Sequence, residues 1–205
     1  NCVTVLDTHD GIGIVDVGPE GDKPGLLTNK QIDNLVESIH HNSQDQSRKA
    51  TGAAASNVDL YQVNCTYLDA LGNNKQDYLL ARAIQFFAPG IPQVYYAGVL
   101  GLNNDMVLLA KSQVGRDINR PYLDDATLQS ALTTPFFGAM KTLIELRNTH
   151  PAFNGKFAIS LNDNKLKMQW QLAEEAICLD VDILQHTASI TSFINDNIEQ
   201  TIDIK

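Results

Sequence analysis

The sequence predicts an α/β chain that ends in a different texture: two parallel β/α units, followed by a small antiparallel β module. Three observations carry this reading. Short apolar runs alternate with helical periodicity through the first 150 residues, as parallel β/α units require. After Asn154-Gly155 the period changes to strict alternation. Of the 205 residues, 43% are hydrophobic and 19% charged, ordinary composition for a packed globular chain.

The first element is the apolar run Val3-Thr4-Val5-Leu6, which breaks at once into His9-Asp10 and the glycines Gly11 and Gly13. That is the pattern of a buried strand and its exit. Thr28 stands three residues before Gln31, a capping box, and Ile32, Leu35, Val36 and Ile39 follow at helical spacing, so a helix is expected there. The stretch HNSQDQSRKATGAAASNVD, residues 41–59, has neither period and is too long for a simple connector, which predicts a functional or unstructured loop. NNKQDYLLARAIQFFAPG predicts a largely buried helix stopped by Pro89-Gly90, and IPQVYYAG a short buried strand. Helical patterns recur from Asp105 to Ser112 and from Pro135 to Arg147, the proline suiting a first turn. From there KFAISLNDNKLKMQW, AICLDVDIL, TASITSFI and EQTIDIK alternate between Asn, Asp and Glu turns. The expected division is 1–151 for the β/α portion and 152–205 for the β domain.

Fifteen Lys and Arg against twenty-four Asp and Glu give a formal charge of −9, which repels nucleic acid and anionic membranes, so neither is an expected partner. Cys2, Cys65 and Cys178 are far apart and odd in number, so neither a disulfide framework nor a zinc site is indicated, and a reducing, cytoplasmic setting is expected. No apolar stretch approaches the roughly 20 residues that span a bilayer.

Three stretches carry candidate chemistry. His9-Asp10 follows the first strand, where a carboxylate can stabilise developing positive charge, although an Asp beside glycines is also a common turn former. NVDLYQ places Asp59, Tyr61 and Gln62 at the end of the long loop, where a plain surface turn is the alternative. GRDINR holds Arg116, Asp117 and Arg120, which read equally well as a solvated ion-pair cluster.

Taken together, VLDTHDG, PGIPQVYYAG and GRDINR resemble the last segments of the α-amylase superfamily barrel, the first two matching the ends of its seventh and eighth strands. ATGAAASNVDLYQVN is similar to the mobile acceptor-side loop of sucrose phosphorylases, and the resemblance runs from Val3 to about Phe153. It implies the last two units of a (β/α)8 barrel and a C-terminal β domain, with no cofactor and no metal. It also implies glucosyl transfer from sucrose to inorganic phosphate with retention, releasing fructose and giving α-D-glucose 1-phosphate. On that resemblance Asp10 is the transition-state stabiliser, His9 and Arg116 hold the glucosyl ring, Asp59 serves the fructose step, Tyr61 the phosphate step, and Gln62 borders the acceptor. The Gly and Ala of TGAAAS suit a loop that moves Asp59 away from an anionic acceptor.

The family's nucleophilic aspartate and acid/base glutamate have no counterpart in these residues. The chain therefore reads as a C-terminal portion that is inactive alone and needs the N-terminal remainder of the barrel as its partner. The alternatives are a hydrolase or transglycosidase of the superfamily, a phosphorylase acting on a phosphorylated or other sucrose analogue, and a catalytically silent sugar-binding piece. Between Ala50 and Gln62 there is no Lys, Arg or His to receive a second phosphate, which favours plain sucrose.

Overall fold

A computed structural model of the chain describes residues 2–14, 17–51 and 62–204. Its strands are β1 (Val3–Val5), β2 (Ile12–Gly13), β3 (Gln62–Val63), β4 (Ile91–Gln93), β5 (Lys156–Asn162), β6 (Lys165–Leu172), β7 (Glu175–Asp182), β8 (Thr187–Ile194) and β9 (Asn197–Ile204). Its α-helices are α1 (Asn29–Asn42), α2 (Tyr67–Ala70), α3 (Lys75–Phe87), α4 (Tyr96–Val99), α5 (Met106–Ser112), α6 (Asp125–Leu132) and α7 (Pro135–Thr149). Two compact units are formed. One contains residues 1–6, 76–93 and 135–205, the other residues 7–75 and 94–134.

In the first unit β1 and β4 pair in parallel, Val3 opposite Ile91 and Val5 opposite Gln93, the pairing that the β/α rhythm predicts. Helix α3 binds both strands through one side chain: Gln85 Nε2 donates to the Thr4 carbonyl at 2.7 Å and to the Gln93 carbonyl at 2.9 Å. The fully buried Arg82 donates to Gln85 Oε1 at 2.5 Å and to the Tyr78 hydroxyl. Burying a guanidinium costs less when its terminal nitrogens find partners, and here two neighbours on the same helix supply them.

Strands β5 to β9 form one antiparallel sheet in sequence order. Alternation puts Met168, Trp170, Ile177, Leu179, Val181, Ala188, Ile190 and Ile204 among its buried residues. Trp170 Nε1 donates to the Phe87 carbonyl at 2.7 Å, and the Arg147 guanidinium of α7 lies 4.4 Å from the Phe153 ring centroid and 5.7 Å from that of Trp170. Burial pushes the Arg147 guanidinium below its ordinary range, and one of its nitrogens donates to the Gly90 carbonyl at 2.9 Å. The sheet thereby shares its core with α3 and α7.

In the second unit α1 begins as its capping box dictates. Thr28 N donates to Gln31 Oε1 at 2.9 Å and Gln31 N to Thr28 Oγ1 at 3.4 Å. Ile32, Val36 and Ile39 pack with Ile14, Val63, Cys65 and Ala70 in one cluster, while Leu35 of the same pattern stays exposed. Burial pushes the Cys65 thiol up to about 12, which makes it an inert core group.

Two expectations need correction. The first part of the long loop is ordered: a 3₁₀ turn spans Ser47–Ala50, with Ser43, Ser47 and Ala50 buried. Its regularity comes from hydrogen bonds that hydrophobic period does not record, since Ser47 Oγ lies 2.7 Å from both His40 Nδ1 and Ser43 Oγ. IPQVYYAG is likewise not one buried strand. Pairing stops at Gln93 and the chain enters α4, while Ile91 is 62% exposed, as are Val3 at 58% and Val5 at 49%. Among the described residues β1 and β4 have only each other as strand neighbours, so their apolar side chains lack the cover that a wider parallel sheet supplies.

Burial lowers the pKa of His40, with Arg48 adding to the effect. The folded chain therefore holds His40 neutral where the unfolded chain, titrating near about 6.5, takes up a proton. Stability contributed here is present above about pH 6.5 and declines as pH falls toward the folded value. Thermal melts at pH 7.5 and 5.5 should show a smaller acid loss for His40→Gln than for the parent chain. Equal losses would remove His40 as a source. His150, also lowered chiefly by burial, acts in the same direction and leaves part of the slope in the variant.

Candidate active site

The His9-Asp10 turn, residues 8–11, belongs wholly to the second unit. Three consecutive carbonyls in it are each taken by a side chain distant in sequence. Asn119 Nδ2 donates to the Thr8 carbonyl at 3.0 Å, Arg120 Nε to that of His9 at 2.9 Å, and Gln62 Nε2 to that of Asp10 at 2.7 Å. Asp10 N is satisfied locally by Thr8 Oγ1 at 3.0 Å. A turn with three successive backbone acceptors claimed has few ways to rearrange, and the Asp10 carboxylate inherits that rigidity.

Gly11 closes the turn with φ of +83°, a conformation that a side chain resists. A Cβ here would lie 2.3 Å from the Val63 carbonyl oxygen and 3.0 Å from Asn64 Cα. The close approach lets β2 pair with β3, Ile12 opposite Val63, immediately beyond the turn.

The carboxylate itself is ringed by cationic and ionisable groups. Asp10 Oδ1 stands 3.1 Å from Arg116 Nη1, 3.3 Å from Arg120 Nη2 and 3.4 Å from His9 Nε2. Among the described residues Oδ2 receives no hydrogen bond. The described contacts therefore converge on one carboxylate oxygen. The Asp10 side chain is 40% exposed, so solvent reaches it and each ion pair adds at most about 1 kcal/mol to stability. Their value is in orientation.

Arg116 lies in the 3₁₀ turn Gly115–Asn119 and Arg120 is the residue that caps it, so one short turn brings both guanidinium groups to one carboxylate. The turn is anchored by Ile118, buried with Ala50 and Leu109, and by Tyr95, whose hydroxyl donates to the Asn119 carbonyl at 3.0 Å. Tyr96 donates to the Pro121 carbonyl at 2.8 Å, and the two tyrosine rings meet edge to face at 4.7 Å. Burial raises the Tyr95 phenol well above its usual range, keeping it a neutral donor.

The structure brings together His9, Asp10, Gln62 and Arg116 of the expected residues. Asp59 and Tyr61 lie outside the described residues. Gln62 is committed to the Asp10 backbone. Sequence reasoning gave Arg120 no more than a place in an ion-pair cluster and gave no role to Asn119, Tyr95 and Tyr96, whose contacts run to residues distant in sequence or to backbone carbonyls. Among the described residues no cluster of His, Cys, Asp or Glu could hold a metal ion, and no helix is long and apolar enough to cross a membrane.

A carboxylate met by two arginines, set after a strand of a parallel β/α pair, places the chain in a class of β/α proteins with a charged group at the strand exit, able to stabilise positive charge developing beside it. Comparison with known proteins takes the assignment further, and the chain belongs to the sucrose phosphorylase family. It is 59% identical over 194 residues to the sucrose phosphorylase of Agrobacterium vitis, covering 94% of this chain and 40% of that protein. It is 50% identical over 175 residues to the sucrose phosphorylase of Bifidobacterium adolescentis, covering 83% and 35% respectively. Among solved structures, the sucrose 6F-phosphate phosphorylase from Thermoanaerobacter thermosaccharolyticum superposes with a TM-score of 0.79 at 30% identity, over 98% of this chain and 40% of that one. No protein-family model matches the chain. The chain spans about 35 to 40% of the length of these curated relatives.

Gly11→Ala should destabilise the chain by about 1–3 kcal/mol, the typical cost of backbone held in a region its residue resists. Urea unfolding followed by far-ultraviolet circular dichroism measures this. An unchanged midpoint would mean that the turn does not depend on the close approach to Val63.

Proposed function

We propose that this chain is part of a retaining glucosyltransferase that moves a glucosyl unit from sucrose to inorganic phosphate, giving α-D-glucose 1-phosphate and fructose. The observation that carries the proposal is the Asp10 carboxylate, whose Oδ1 meets Arg116 and Arg120 while Oδ2 receives no hydrogen bond among the described residues. As glucosyl transfer proceeds, positive charge grows on the sugar, and a pre-oriented carboxylate stabilises it without reorganising. His9 and Arg116 contact the same sugar, and Asp59 and Tyr61 alternate at the acceptor position, the first for fructose and the second for phosphate.

Residues 1–151 are read as the end of a (β/α)8 barrel and residues 152–205 as its C-terminal β domain. The exposed Val3, Val5 and Ile91 support this, since they are apolar strand positions that further barrel strands would cover. The nucleophile and the acid/base residue then belong to the rest of the barrel. Sucrose itself is favoured over sucrose phosphate because the higher identities are to sucrose phosphorylases, and because no cation lies between Ala50 and Gln62.

In the complete enzyme, Asp10→Asn should lower turnover by about two orders of magnitude or more while the fold is retained, in keeping with electrostatic groups worth about 2.7–4 kcal/mol. Near-native turnover would reduce Asp10 to a turn former. Tyr61→Phe should weaken phosphate more than sucrose, since a hydrogen bond to a charged acceptor contributes about 1.5–3 kcal/mol, and Asp59→Asn should weaken sucrose more than phosphate. Steady-state titration of each substrate at saturating concentration of the other measures both. Equal effects on the two substrates would eliminate the exchange.

A further inference from the structure

Arg116 and Arg120 touch the same oxygen, yet they are not equivalent. Arg116 reaches Asp10 through Nη1 alone and is nearly half exposed, so a sugar can draw it away at the loss of one solvated contact. Arg120 is a fork across the turn: Nε donates to the His9 carbonyl at 2.9 Å while Nη2 meets Asp10 Oδ1 at 3.3 Å. It is the more enclosed of the two, and its neighbour Asn119 is buried with its own amide on the Thr8 carbonyl. One short segment thus grips two successive carbonyls and the carboxylate.

We infer that Arg120 is the positioning residue of this site, holding the His9-Asp10 turn and the Asp10 carboxylate in place while Arg116 is released to substrate. The inference rests on the glucosyl-transfer reading, and it divides labour between two arginines that the sequence presents as one cluster. The fork geometry is specific to guanidinium: a Lys ammonium can meet the carbonyl or the carboxylate but does not span both in fixed register.

The test uses the complete enzyme with Arg120→Gln, Arg120→Lys and Arg116→Gln. Hydrogen exchange without substrate should show the amides of residues 8–11 exchanging about tenfold faster or more in Arg120→Gln, with α1 and the β5–β9 sheet unchanged, and no such effect in Arg116→Gln. With sucrose and phosphate, Arg120→Gln should lose about 10- to 100-fold in kcat with KM within about threefold. Arg120→Lys should stay close to Arg120→Gln. Unchanged local exchange, loosening spread over the whole chain, a loss confined to KM, or full rescue by Lys would each overturn the inference. Because exchange is read without donor, an enzyme that does not use sucrose would sink the functional reading and leave the positioning result intact.

Discussion

Three adjacent carbonyls, those of Thr8, His9 and Asp10, each end on a side chain more than fifty residues away in sequence. The rest of the site depends on this constraint. A carboxylate works as an electrostatic stabiliser only if it is aimed before charge develops, and its aim is set by the backbone it hangs from. The ion pairs on Asp10 are solvent-reached and weak, whereas the carbonyl contacts are neutral or charge-assisted hydrogen bonds that lock the turn. Gly11 completes the arrangement by letting the chain pass within contact of Val63.

The same logic of buried polar anchors recurs in the other unit. Gln85 bonds to both β1 and β4, and Trp170 reaches a helix-terminal carbonyl that α3 itself leaves unsatisfied. Aromatic rings from Phe87, Phe153, Phe157 and Trp170 fill the space between, and Arg147 caps them with its guanidinium face. Apolar packing supplies most of the stabilisation, while these directed bonds choose which elements meet.

The exposed apolar strand positions and the exposed Asp10 carboxylate fit one reading. A parallel pair with exposed valines and an isoleucine has apolar positions that further strands would cover, and the proposed role of Asp10 likewise calls on groups carried by such strands. Both follow directly if the chemistry is shared with barrel strands beyond these residues.

By itself the sequence determined the elements whose signals are local. The Thr28–Gln31 capping box, the helical pattern from Asp105 to Ser112, Pro135 at the start of α7 and the period-2 strands after Gly155 all depend on neighbours within a few residues, and all stand where the pattern put them. A turn at His9-Asp10 was also legible from the two glycines that follow a strand, although the residues alone left its carboxylate as either a turn former or a charge stabiliser. What only the tertiary structure decided were contacts between distant residues. The ordered turn at Ser47 is set by a buried histidine and two serines rather than by hydrophobic period. The early end of β4 depends on which strands lie beside it. Arg120 could not be told from a surface cation until its two nitrogens were seen on His9 and Asp10, some 110 residues away. Periodicity reports which face of an element is apolar; it carries no record of which carbonyl a side chain will find.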